Sequence, residues 1–160
     1  MRKIIIGVMG GAVCDEETAK TAFQVGQLIA DRGAALLCGG GRGVMKAASA
    51  GAKSRQGLVI GIMPGSDAAE SPPNEFIDIP IFTGMSDCRN AINAKSSDVL
   101  IAIDGECGTL SEIALALKNN KTVIGLKSWD ISQNGNTPLN YIKVDSAEEA
   151  VAKAFACLML

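Results

Sequence analysis

Short runs of Ile, Val, Leu and Ala alternate along the whole chain with longer stretches in which apolar residues recur every three or four positions. Short apolar runs bounded by glycine or polar turns read as buried strands, and the helical periodicity between them reads as helices packed on a sheet. The pattern predicts seven strands, at 3–9, 35–38, 57–63, 76–82, 98–103, 122–127 and 141–144. Between the first two, Ala19, Ala22, Phe23, Gly26, Ile29 and Ala30 fall on one helical face, and Gly33 follows where a helix end favours a left-handed residue. A helix is therefore predicted over 16–32. Further helices are predicted over 43–55, 86–96, 108–119 and 146–158, the last opening on Ser146 with Glu148 and Glu149 in its first turn. The proline-rich stretch 64–75 and the stretch 128–138, which contains Asn134-Gly135-Asn136, read as loops. Strands and helices in strict alternation specify an α/β fold, a doubly wound parallel sheet with helices on both faces, and nothing in the composition divides residues 1–160 into more than one domain.

Composition narrows the chemistry. Hydrophobic residues make up 48% of the 160 positions but aromatics only 4%, so the core is aliphatic, as buried parallel strands require. The formal net charge of −2 offers no basic footprint for nucleic acid or for an anionic membrane surface, and neither is expected as a partner. No segment approaches membrane-spanning length, and the apolar run after Arg2-Lys3 is short and reaches Gly10-Gly11, so it reads as a strand rather than a secretion signal. Five cysteines without a CxxC pair signal neither a disulfide framework nor a metal site, which points to a reducing, cytoplasmic setting. Histidine is absent, which removes Ser-His-Asp hydrolases, Cys-His proteases and histidine-ligated metal enzymes. Any acid–base work falls to carboxylates, lysines or the single tyrosine.

In a parallel sheet, ligands bind beyond the carboxyl ends of the strands. Three of the predicted turns there are rich in glycine: Gly10-Gly11 after the first strand, Gly39-Gly40-Gly41-Arg42-Gly43 after the second, and Gly105-Glu106-Cys107-Gly108-Thr109 after the fifth. Glycine lets a ligand approach backbone N–H groups without meeting a Cβ, and each turn feeds a helix N-terminus, where free N–H groups favour an anion. A single such turn reads as a tight connection; three at one edge read as a pocket for a phosphorylated small molecule. The pattern is not the dinucleotide fingerprint, because Val44 stands where the third glycine belongs and no acid follows the second strand, and no GxxxxGK[ST] loop is present.

Arg89 and Glu112 are the charged candidates, one on the helix before the fifth strand and the other just past the turn that follows it. Arginine's planar fork suits a phosphate, although Arg89 also reads as a surface cation beside Asp87 and Lys95. Glu112 also closes a capping box, Thr109-Leu110-Ser111-Glu112, that would begin the helix at that point. Cys14, Cys38 and Cys107 fall near the pocket rim, either as ligands for a soft metal or thiol-bearing molecule or as small apolar fillers.

The runs Cys38-Gly39-Gly40-Gly41-Arg42-Gly43-Val44-Met45, Gly57-Leu58-Val59-Ile60-Gly61-Ile62-Met63-Pro64-Gly65 and Gly108-Thr109-Leu110-Ser111-Glu112, with Arg89-Asn90, resemble a Rossmann-like superfamily. It includes the Lonely Guy cytokinin-activating phosphoribohydrolases and the molybdenum cofactor carrier proteins. Some relatives carry the label lysine decarboxylase, but no lysine here sits in a Schiff-base context. In the phosphoribohydrolases an arginine and the glutamate of a PGGxGTxxE motif hydrolyse a nucleoside 5′-monophosphate to base and ribose 5-phosphate, and Arg89 and Glu112 match those positions. The chain departs from that motif with Asp104 at the proline, Glu106 at the second glycine and Asn90 at the lysine after the arginine. A carboxylate at Glu106 beside a phosphate would repel it by about 4 kcal/mol at 4 Å and an effective dielectric of 20. Arg89-Asn90, Asn93 and Ser96-Ser97-Asp98 are closer to the carrier branch. The resemblance thus implies a binding protein for a nucleotide-like or pterin-like ligand, with no required cofactor and the molybdenum cofactor as a candidate cargo. Its glycine turns (Gly10, Gly11, Gly39, Gly40, Gly41, Arg42, Gly43, Gly105, Gly108 and Thr109) would hold the ligand, and the protein would be a homo-oligomer. The alternative it implies is a phosphoribohydrolase.

Overall fold

The computed structural model describes residues 2–159, so Met1 and Leu160 of the predicted domain lie outside the described residues. Seven strands, β1 (Ile5–Gly10), β2 (Ala35–Cys38), β3 (Val59–Met63), β4 (Ile79–Phe82), β5 (Val99–Ile103), β6 (Thr122–Leu126) and β7 (Tyr141–Val144), form one sheet in the order β4-β3-β2-β1-β5-β6-β7. Every pairing is parallel. The chain winds outward from β1 to β4, crosses back, and winds the other way from β5 to β7. Strand order therefore reverses between β1 and β5, where the carboxyl ends leave a crevice.

Helices α1 (Glu16–Asp31), α2 (Val44–Ser54) and α5 (Ala147–Ala156) cover one face, where Ala22, Val25, Ile29, Ala48, Ala52, Ala150 and Val151 pack on Ile6, Val8, Leu36, Val59, Ile101 and Ile124. Helices α3 (Asn90–Ser96) and α4 (Cys107–Lys118) cover the other, with Ala94, Ile113 and Ala116 on Met9, Leu37, Leu100, Ala102 and Val123. Alternate strand residues thus feed two cores, which explains why the strands read as continuous apolar runs.

The small residues of α2 have a specific use. A Cβ at Gly26 of α1 would collide with the Ala48 carbonyl, and one at Gly51 of α2 with the Phe23 carbonyl, so the two helices meet backbone to backbone. Gly51→Ala is expected to push them apart and destabilise the fold by about 3 kcal/mol, read as a lower urea midpoint with an unchanged slope.

The predicted helix over 86–96 is divided. Ser86, at φ 48°, opens a 3₁₀ turn over Ser86–Arg89, and α3 begins only at Asn90. The third strand starts at Val59 rather than 57, because Gln56 takes a left-handed φ of 58° and the Gly57 N–H still closes α2 by donating to the Ala52 carbonyl at 2.9 Å. The fourth starts at Ile79 rather than 76: Asn74 Oδ1 accepts the Phe76 N–H at 3.1 Å, so the chain is still turning there.

Candidate ligand-binding site

A cavity of about 160 Å³ lies at the carboxyl edge of β1, β2 and β5, at the reversal of strand order. Its walls are the β1 turn (Gly10, Gly11, Ala12), Gly39 at the end of β2, the 3₁₀ turn with Asp87 and Arg89, and the start of α4 with Glu106, Gly108, Thr109 and Glu112. Met9 and Met45 provide its apolar lining.

The first two turns are braced against each other. A side chain at Gly10 would meet Val44 and the Ile103 carbonyl, and the Val44 N–H donates to the Gly11 carbonyl at 3.0 Å. Gly43, at φ 57°, rests on the Gly11–Ala12 backbone. The second turn is held from outside by Asn74, whose N–H donates to the Gly40 carbonyl at 2.9 Å and whose Nδ2 donates to the Gly41 carbonyl at 2.9 Å. Gly40 tucks under Met63.

Of the sequence-predicted residues, the cavity brings together Gly10, Gly11, Gly39, Gly108, Thr109, Arg89 and Glu112. Gly40, Gly41, Gly43 and Gly105 shape the turns without lining it, and Arg42 is exposed and points to no wall of it. Gly105 is used otherwise: at φ 101° it lies against the Thr109 side chain, which is buried.

The third turn departs most from its expected form. Helix α4 starts at Cys107, so Thr109 is inside the first turn, and the capping box predicted for Thr109 and Glu112 is not formed. The residue before the helix, Glu106, makes no capping bond, whereas α1 and α5 are capped by Asp15 and Ser146. The first N–H groups of α4 are thus left to whatever occupies the cavity, at the positive end of the helix dipole. Asp104 takes φ 48°, a conformation closed to proline, so this turn is built differently from one that begins with proline.

Freed from the cap, Glu112 points inward. It is 6% exposed, and its Oε1 accepts from Asn93 Nδ2 at 2.7 Å. Burial pushes its pKa up to about 7 against the opposing pull of the Asn93 hydrogen bond and the Arg89 charge. Asn93 is itself fully buried, and its backbone carbonyl accepts from Ser97 Oγ at 2.8 Å. The Ser97 hydroxyl fits because Gly7 on β1 has no side chain.

Arg89 lies across Gly39, where any Cβ would occupy the position of its Nη1. Its Nε is buried without a hydrogen-bond partner, and it forms no ion pair among the described residues. A guanidinium held in place yet unpaired keeps its donors free. Glu106 and Asp87 are exposed at the mouth, and neither Arg42 nor Arg89 neutralises Glu106. Asn90 also lines the cavity, and its Nδ2 donates to Ser111 Oγ at 2.9 Å.

Cys38 is a core residue: its thiol is fully buried, pushed up in pKa by burial, and accepts the Gly40 N–H at 3.3 Å. Cys107 is exposed and Cys14 half-buried, and among the described residues no three metal-ligating side chains converge. Asn74 has no counterpart in the sequence reading, while Asp87, read there as a neighbour of Arg89, and Asn93, matched there to the carrier branch, both belong to the site. Asn93 shares the buried face of α3 with Asn90 and Ala94.

Residues 3–152 match the SLOG cluster4 family, and the chain belongs to that family. Among solved structures, it is similar to the molybdenum cofactor binding protein of Rippkaea orientalis, with a TM-score of 0.88 and 42% identity over 100% of this chain and 99% of that one. It is similar also to the Moco carrier protein of Chlamydomonas reinhardtii, with a TM-score of 0.86 and 37% identity over 100% of both chains. A probable cytokinin riboside 5′-monophosphate phosphoribohydrolase of Oryza sativa subsp. japonica is 33% identical over 58% of this chain and 38% of its own length. The chain therefore lies in the superfamily of carriers and phosphoribohydrolases, nearer the carriers. No described helix is long and apolar enough to cross a membrane.

Proposed function

We propose that this protein binds and carries a phosphorylated pterin-like or nucleotide-like ligand, the molybdenum cofactor being the cargo that the similar carrier structures suggest. The observation that carries the proposal is the unpaired Arg89 guanidinium held over Gly39 opposite the uncapped start of α4. The phosphate would accept hydrogen bonds from the N–H groups of Gly108 and Thr109 and from Arg89, while Gly10, Gly11 and Gly39 admit it close to the backbone. Met9 and Met45 would pack against the ring system. Nothing in this role requires a bond to be broken.

Phosphoribohydrolysis is the second reading. It is supported by one feature: a buried carboxyl with a pKa of about 7 in the same cavity as an arginine, which suits general acid–base work near neutrality. Against it stand Asn90, whose amide is engaged with Ser111, and the Asp104-Gly105-Glu106 turn, whose backbone and charge differ from those of the hydrolase motif.

One experiment separates the two. Purified protein is incubated with cofactor released from a molybdoenzyme and passed through gel filtration, and the protein fraction is assayed for reactivation of a cofactor-free molybdoenzyme. A parallel sample is given nucleoside 5′-monophosphates and assayed for ribose 5-phosphate. Retention near one equivalent without ribose 5-phosphate is expected. Ribose 5-phosphate release that disappears in Arg89→Ala and Glu112→Gln, with no cofactor retained, would replace the carrier reading with the hydrolase.

A further inference from the structure

The cavity holds more negative than positive side chains, which is the reverse of what a phosphate alone would call for. Asp87, Glu106 and Glu112 line it against the single guanidinium of Arg89. The two at the mouth are exposed and solvated, but Glu112 is 6% exposed. Its Oε1 is committed to Asn93 Nδ2, and among the described residues its second oxygen has no hydrogen-bond donor. Arg89 does not serve as that donor, because it forms no ion pair among the described residues. The second oxygen is open to the cavity and has no protein donor, so it is left to water, to a proton or to a ligand that brings N–H groups. A cation held by protein carboxylates is not favoured, since no three metal-ligating side chains converge among the described residues.

We infer that Glu112 reads the ring of the bound molecule: its free oxygen accepts from an N–H-rich edge of the 2-amino-4-oxo type, as guanine and pterin rings carry, while Arg89 and the start of α4 hold the phosphate. The inference rests on the phosphate-site reading above and adds to it a specificity residue and a ring class. Asn93 makes the selection directional. It is fully buried, its Oδ1 has no partner and its Nδ2 donates to Glu112, so the atom that Nδ2 faces is an acceptor. In Glu112→Gln the side-chain oxygen stays with Asn93, and the new NH₂ is turned toward the cavity as a donor. Donor would then face donor, and the preference for an N–H edge is lost. Sites that pair a buried polar group with a substrate N–H discriminate strongly against analogues lacking it.

The test uses guanosine 5′-monophosphate, inosine 5′-monophosphate, which lacks only the 2-amino group, and guanosine, which lacks only the phosphate, each titrated calorimetrically. The wild-type protein is expected to bind guanosine monophosphate at least about tenfold more tightly than inosine monophosphate, and guanosine weakly. In Glu112→Gln that ratio is expected to fall to about one or below, and inosine monophosphate, which keeps the ring N1–H, is expected to bind less tightly as well, though with a smaller loss than guanosine monophosphate. Equal affinity of the wild type for the two monophosphates overturns the inference and leaves the phosphate site standing. So does a guanosine monophosphate preference that persists undiminished in Glu112→Gln. Failure of both monophosphates to bind overturns the phosphate site, and this inference with it.

Discussion

Arg89→Ala is expected to weaken binding of a phosphorylated ligand by roughly a hundredfold, or about 3 kcal/mol, while leaving the protein folded. The magnitude follows from where the charge sits. Its Nε is buried without a partner, and the side chain lies on Gly39, so it has already lost much of its freedom and hydration before any anion arrives. An anion then gains charge-assisted hydrogen bonds in a partly dry site without having to order the arginine. Arg89→Lys is expected to recover only a small part of the loss, because an ammonium cannot offer the planar fork. Gly39→Ala should imitate the alanine variant without touching the charge, since the new methyl takes the place of Nη1 and drives the guanidinium off its seat. Calorimetric titration of the three variants checks the set. Wild-type affinity in Arg89→Ala would place the anion elsewhere.

Glu112→Gln is expected to stabilise the unliganded protein at pH 8, by as much as about 3 kcal/mol, and to leave it unchanged below about pH 4. The ordinary value for this carboxyl is 4.5 and burial raises it to about 7 in the folded protein. Between those values the folded state holds a proton that the unfolded state has released, so the carboxyl's contribution to stability falls as pH rises through that window. Above it, folding carries the full cost of a buried charge. Glutamine keeps the bond to Asn93 and has nothing to ionise, so the variant gains wherever the wild type is charged. Urea denaturation at the two pH values measures the effect, and equal stability of variant and wild type at pH 8 would show that Glu112 is well solvated. A protein that keeps a destabilising carboxylate where an amide would fit is retaining it for a ligand.

The architecture was legible because both faces of the sheet are buried. Each strand therefore appears as an unbroken apolar run, and each helix has the 3.6-residue stripe that matches one of the two cores. The location of the cavity was legible for a related reason: a parallel sheet puts every strand-to-helix turn of this kind on one edge, and three of them carry glycine. What the sequence did not show was the use of individual residues within those turns. Gly10 and Gly40 make room for the Val44 and Met63 side chains, Gly43 rests on the Gly11–Ala12 backbone, and Gly39 makes room for the guanidinium of Arg89. That contact joins positions 39 and 89, and no local pattern encodes it.

The third turn misled for a different reason. Thr109-x-x-Glu112 has the spacing of a capping box, but that reading assumes the helix starts at the threonine. Left-handed conformations at Asp104 and Gly105 let the helix begin at Cys107, and the glutamate is thereby rotated from the helix end into the interior. The 3₁₀ turn over Ser86–Arg89 has a comparable origin in Ser86, a non-glycine residue with positive φ that propensity does not anticipate. The contacts of Asn93 and Asn74 were not legible because their partners, Glu112 and the Gly40–Gly41 carbonyls, are distant in sequence.

Whether the cavity at the reversal of strand order receives a phosphate is decided by mapping amide chemical shifts during titration with guanosine 5′-monophosphate and, separately, with guanosine. Phosphate-dependent shifts are expected to concentrate at Gly10, Gly11, Gly39, Gly108 and Thr109, to be absent with guanosine and to be lost in Arg89→Ala. Phosphate-dependent shifts that cluster away from these residues, or that persist in Arg89→Ala, would contradict phosphate binding in this cavity.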